Sequence, residues 1–108
     1  MKVVISTEVI KDLSELVTVL FNKNYFAFEE SALFYVDQIY NFIELDLVNY
    51  PHKLTPKNLI KFGSFYAFYK ANSNTTWFVF FEKHENIIFI KHITNNHIQD
   101  INSLNIIY

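Results

Sequence analysis

The chain has 108 residues, enough for one hydrophobic core and no second domain. Apolar residues make up 51% and charged residues 19%, which excludes disorder, and the absence of cysteine excludes disulfides and thiolate chemistry. Nine Lys, no Arg and eleven carboxylates leave a net charge of −2, which argues against strong non-specific binding to nucleic acid.

The lack of Arg, beside abundant Asn, Ile, Lys, Phe and Tyr, fits an AT-rich coding sequence. Its physical consequence is that phosphate must be gripped by point charges on Lys rather than by the planar fork of Arg. Ser6, Thr7 and Glu8 interrupt the apolar opening at once, so no secretory leader is read there. No apolar run approaches the roughly 20 residues of a membrane span, and a cytoplasmic location is expected. The 12 Phe, 7 Tyr and single Trp exceed what one small core usually holds, so some aromatic surface is expected to meet a partner.

Val3, Val4 and Ile5 form a β-branched run that predicts a first strand. Thr7 then reads as a helix N-cap, with Glu8 complementing the dipole. Val9, Leu13, Leu16 and Leu20 recur at helical spacing up to residues 22–24. A second helix is predicted over 28–48, with Ala32, Tyr35, Val36, Ile39, Phe42 and Ile43 on one face. Leu33, Phe34, Tyr40 and Leu47 fall off that stripe, which predicts burial on two sides.

Pro51 and Pro56 mark residues 50–56 as a connecting loop. Three strands are predicted after it, over 60–71, 75–82 and 87–94, joined by short polar turns at Asn72-Ser73-Asn74 and His84-Glu85-Asn86. Gly63, the only glycine, is expected at a bulge or a close backbone approach. The middle strand is apolar on both faces. The helices can cover one face, and the other calls for the C-terminal segment, residues 95–108, or for a partner. That segment reads as either a short helix or a pairing tail. The expected architecture is α+β in one domain over residues 1–108: an N-terminal strand, a two-helix hairpin, then a three-stranded antiparallel meander.

This order of elements is that of the RelE/ParE superfamily of bacterial toxins, and three stretches resemble the family more specifically. Leu54-Thr55-Pro56-Lys57-Asn58-Leu59-Ile60-Lys61-Phe62-Gly63 is similar to the family's approach to its second strand, with a leucine spaced four from a glycine before the aromatic run Phe65-Tyr66-Ala67-Phe68-Tyr69-Lys70. Thr75-Thr76-Trp77-Phe78-Val79-Phe80-Phe81-Glu82 resembles the central strand. Ile90-Lys91-His92-Ile93-Thr94-Asn95-Asn96-His97 resembles the final strand and the turn after it in one branch. The likeness is carried by residues 54–97 and is one of pattern over the helices.

The resemblance implies the toxin of a type II toxin–antitoxin system, wrapped and silenced by a cognate antitoxin docked as a helix in a groove or as an added strand. RelE-like members cut messenger RNA on the ribosome without a metal or cofactor. ParE-like members share the fold but inhibit DNA gyrase and carry no nuclease chemistry. A third possibility is a chain that keeps the fold only as an interaction partner.

Metal-independent RNA cleavage needs a base for the 2′-hydroxyl proton, an acid for the leaving oxygen and cations for the developing phosphorane charge. By position in the family pattern, Lys57, Lys61 and Lys70 are the candidate cations, and His92 and His97 the candidate proton-transfer groups. Four of them have a plainer alternative. His97, in a polar Asn-Asn-His turn, also reads as a loop residue. His92 alternates with Ile88 and Ile90 and also reads as a core-edge histidine, while Lys91 shares a face with Ile87, Phe89 and Ile93. Lys57 and Lys61 also read as a solvated cluster on a loop and strand edge. The four His lack metal-ligand spacing, and no glycine-rich loop is present for a nucleotide.

Overall fold

Among the described residues, five strands build one mixed sheet in the order β1-β5-β4-β3-β2, with two helices against one face. The computed structural model describes residues 1–22 and 29–97. The strands are β1 (Lys2–Ile5), β2 (Lys53–Leu54), β3 (Phe65–Lys70), β4 (Thr76–His84) and β5 (Ile87–Asn95), and the helices are α1 (Thr7–Asn22) and α2 (Glu29–Asn41). β1 lies parallel to β5, while the other neighbours are antiparallel. The predicted α+β class and the three-stranded meander are therefore present, within a sheet two strands wider than the meander. No helix among the described residues is long and apolar enough to cross a membrane.

The helix ends differ from expectation in detail. Ser6, not Thr7, caps α1: its hydroxyl accepts the Val9 N–H at 3.2 Å. Residues 23 and 24, where this helix was expected to end, and Phe28, where the next was expected to start, lie outside the described residues. α2 gives way to a π-turn at Phe42–Asp46 and a 3-10 turn at Leu47–Asn49. The wider turn brings Phe42, Ile43 and Leu47 all into the core. His52 finishes this end, its Nε2–H donating to the Leu47 carbonyl at 2.7 Å. The second buried side expected for α2 is not found: Leu33, Phe34 and Tyr40 are exposed.

On the helical face Val9, Leu13, Val36, Ile39 and Ile43 pack against Trp77, Val79, Phe81, Ile88 and Ile90. Trp77 donates its indole N–H to the Tyr35 hydroxyl at 2.9 Å, so this polar tip enters the core satisfied. Full burial of each large apolar side chain stabilises by about 1.5–3 kcal/mol.

The other face corrects two readings. The stretch expected to open a strand at residue 60 is a 3-10 helix, Lys57–Phe62, and the strand begins at Phe65. Pro56, which lacks an N–H and fixes φ, precedes this helix, and the Gly63 N–H closes it on the Ile60 carbonyl. Its Leu59 and Phe62 pack over Tyr66, Phe78 and Phe80, supplying cover that had been assigned to the C-terminal segment or a partner. Residues 98–108 of that segment lie outside the described residues. Within the predicted loop, Lys53–Leu54 pair with Tyr66 and Phe65 as β2.

β5 contains a bulge. Phe81 pairs with Ile90 and Phe80 with His92, so Lys91 is an inserted residue with no direct partner on β4. The insertion reverses the alternation, keeping Ile88, Ile90 and Ile93 on the helical face and turning His92 to the opposite one. His92 therefore does not share a face with Ile88 and Ile90, and Lys91 does not share one with Ile93.

Candidate functional site

The five candidate residues fall into two groups on the sheet. Lys70 and His97 occupy the end at the β3–β4 turn, where the sequence is rich in asparagine. Asn72 Oδ1 accepts the N–H groups of Asn74 and Thr75 at 2.8 and 2.9 Å and shapes the turn. Asn96 clamps the end of the sheet: its Oδ1 accepts the Thr76 N–H at 3.0 Å, its own N–H reaches the Thr76 carbonyl at 3.1 Å, and its amide donates to the Asn74 carbonyl at 3.1 Å. Asn95 Oδ1 then accepts the His97 N–H at 2.9 Å. The exposed imidazole contacts Thr75 Oγ1 through Nε2 at 3.1 Å. Lys70 pairs directly with Thr76 and is exposed at the same end. Thr75, Asn95 and Asn96 hold His97 and its turn, and the family pattern alone did not mark them as positioning groups.

Lys57, Lys61 and His92 form the second group. Phe62 stacks on the His92 ring, with centroids 4.3 Å apart and planes 13° apart, and the Lys61 ammonium lies 5.2 Å from the Phe62 centroid. Lys57 and Lys61 are both exposed, but at three residues per turn they point about 120° apart and do not line one face. His92 pairs with Phe80 and Lys70 with Thr76, four residues apart on β4 and so about 13 Å along the strand. The two groups are separate.

Burial lowers the pKa of His92 from its ordinary 6.5, outweighing the smaller upward pull of Asp12 and Glu8. In the interval between the folded and unfolded values, the unfolded chain binds a proton that the folded protein refuses. Stability is therefore full above about pH 7, falls as pH drops through that interval, and levels off below the folded value. His92→Phe keeps an aromatic ring on Phe62 and has no proton to bind. Its stability, measured by urea unfolding between pH 5 and 8, is expected to lack this acid loss. An unchanged pH profile in the variant would contradict the assignment.

A third histidine was not singled out in the sequence. Because the Leu47 carbonyl can only accept, His52 Nε2 carries the hydrogen, and its Nδ1 lone pair accepts from the Lys83 ammonium at 3.2 Å. Lys83 also lies 4.3 Å from the Phe65 centroid. This chain of contacts ties a cation to a helix C-terminus, a favourable placement for the dipole, and it accounts for His52 structurally.

Charge is divided along the chain. Residues 7–49, the helical half, carry eight carboxylates against two lysines, a net −6. Residues 50–97 carry six lysines against Glu82 and Glu85, a net +4, and all five candidate residues belong to this half. The modest total is the sum of an acidic helical half and a basic sheet half. Among the described residues no three His, Asp or Glu side chains gather as metal ligands. Comparison with protein-family models, with curated proteins and with solved structures finds no match to the chain in any of the three.

Proposed function

We propose that the chain is the toxin of a bacterial type II toxin–antitoxin pair of the RelE/ParE kind, acting as a metal-independent endoribonuclease on messenger RNA and neutralised by its antitoxin. The observation that carries this reading is the cationic sheet half, with an exposed imidazole in contact with Thr75 at its end and with Lys70 exposed at the same end of the sheet. In this chemistry the 2′-oxygen attacks the adjacent phosphorus as the bond to the 5′-oxygen breaks. An imidazole removes the 2′-hydroxyl proton or supplies one to the leaving oxygen, and ammonium groups balance the charge gathering on phosphorus. With no Arg in the chain, Lys70 fills the cation's role as a point charge.

The second reading is a ParE-like inhibitor of DNA gyrase. It is favoured by the separation of Lys57, Lys61 and His92 from Lys70 and His97, since one nuclease centre cannot use both groups. Inducible expression in a bacterial host, with pulse-labelling of new protein and new DNA, distinguishes the two. The nuclease reading expects protein synthesis to collapse first while DNA synthesis continues. Early loss of DNA synthesis supports the gyrase reading, and unaffected growth removes toxicity altogether.

A further inference from the structure

Thr75 and His97 meet on backbone that the surrounding turn holds in place. The Thr75 N–H donates to Asn72 Oδ1 at 2.9 Å, and the Thr75 carbonyl accepts the Ala71 N–H at 3.0 Å. Both backbone polar groups of Thr75 are therefore spent on the turn, and the hydroxyl is what remains to meet the ring. On the other side the His97 N–H donates to Asn95 Oδ1 at 2.9 Å, and the neighbouring Asn96 is tied to Asn74 and Thr76. Across this frame Thr75 Oγ1 lies 3.1 Å from His97 Nε2.

That contact can form in two ways, and they give the imidazole opposite chemistry. If Nε2–H donates to the hydroxyl oxygen, Nδ1 keeps its lone pair and is a base. If the hydroxyl donates to Nε2, the hydrogen sits on Nδ1, which is then an acid. A neutral imidazole in water already prefers its hydrogen on Nε2. Because this ring is exposed, the first arrangement only strengthens a preference that the ring brings with it. It also leaves the hydroxyl hydrogen of Thr75 to solvent.

We propose that Thr75 is the positioning residue of His97, accepting the Nε2 hydrogen so that Nδ1 is the general base of cleavage. The assignment rests on the endoribonuclease reading above and fixes which of the two proton transfers the imidazole performs. Nδ1 takes the 2′-hydroxyl proton as the 2′-oxygen bonds to phosphorus. The bond from phosphorus to the 5′-oxygen breaks, its electron pair stays on that oxygen, and water supplies the leaving group's proton. The imidazolium keeps its Nε2 hydrogen on Thr75 and returns the Nδ1 proton to solvent. RNA must therefore reach the ring nitrogen turned away from Thr75.

The test reads the tautomer and the rate separately, in the full chain. Nitrogen-15 shifts of the imidazole, followed through the carbon-bound ring protons at about pH 9, report where the neutral ring holds its hydrogen. The signal is assigned by its loss in His97→Ala. The parent and Thr75→Ser should hold the hydrogen on Nε2. Thr75→Val keeps the branched shape without the hydroxyl, and its tautomer ratio should fall about three- to tenfold toward that of a free imidazole. Cleavage of a defined messenger RNA in a translating bacterial extract should slow about three- to tenfold in Thr75→Val and recover in Thr75→Ser. A parent that cleaves no RNA removes the endoribonuclease reading, and the base role with it. A parent that cleaves RNA with its hydrogen on Nδ1 overturns the assignment and leaves that reading standing. So does a folded Thr75→Val protein in which either the tautomer ratio or the rate is unchanged.

Discussion

Replacing Gly63 with Ala is expected to destabilise the fold by about 3–5 kcal/mol, although it adds a single methyl group. Gly63 adopts φ 156° and ψ 151°, a region that is essentially glycine's alone. A Cβ there would lie 2.7 Å from the Phe81 nitrogen and 3.1 Å from the Phe80 carbonyl carbon and the Phe81 oxygen. All three are backbone atoms of the central strand, so no side-chain rotation relieves the contact. Their residues are fully buried, and a shift would be passed into both faces of the core. For a domain of this size, that loss is a large part of a total stability of about 5–15 kcal/mol. Thermal unfolding should show a midpoint lower by about 15–30 °C. Ser64→Ala is the control, because Ser64 uses its backbone N–H to reach Glu82 at 3.0 Å and should change stability by about 0.5 kcal/mol or less. A Gly63→Ala protein that melts within a few degrees of the parent would refute the close approach.

Much of this neighbourhood is legible in residues 54–63 themselves, and the remainder shows what local patterns omit. The lone glycine announced a close approach, but its partner strand depends on long-range register that spacing does not encode. The 3-10 helix did leave a trace: Pro56 opens the run, Gly63 ends it, and only six residues lie between. Reading residues 60–71 as one strand missed it, because the apolar residues on either side of Gly63 satisfy both periods.

The bulge at Lys91 is a similar case. Ile90 and Ile93 are three apart yet both buried on the helical face, which a regular strand cannot achieve. That break in alternation was visible in the sequence. The continuous apolar run from Ile87 to Ile90 obscured it, and so His92 was assigned the wrong face. The asparagines at the other end raise a different difficulty. Asn72, Asn95 and Asn96 look like generic turn residues until the meander brings two turns together, and only then do they form a hydrogen-bonded seat for His97.

That seat makes His97→Ala the decisive substitution for activity. Under the nuclease reading the variant should lose RNA cleavage and growth arrest by about 10²–10⁴-fold, the usual contribution of one general acid or base. Its melting temperature should stay within a few degrees of the parent, because the imidazole is exposed and its side-chain contact is with Thr75. Asn95→Ala removes the acceptor of the His97 N–H without removing the imidazole, and should give a partial loss that wild-type stability cannot explain. Lys70→Ala should lower cleavage, because the point charge it offers the phosphorane is removed. The two lysines of the 3-10 helix divide the remaining cases. If Lys57→Ala and Lys61→Ala leave cleavage unchanged while His97→Ala abolishes it, the reaction belongs to the turn end and the 3-10 helix serves the fold or RNA docking. If arrest persists in His97→Ala and in both lysine variants, the chain acts without these groups. A surface that binds a target, as in the gyrase reading, would then be the better account of the cationic sheet half.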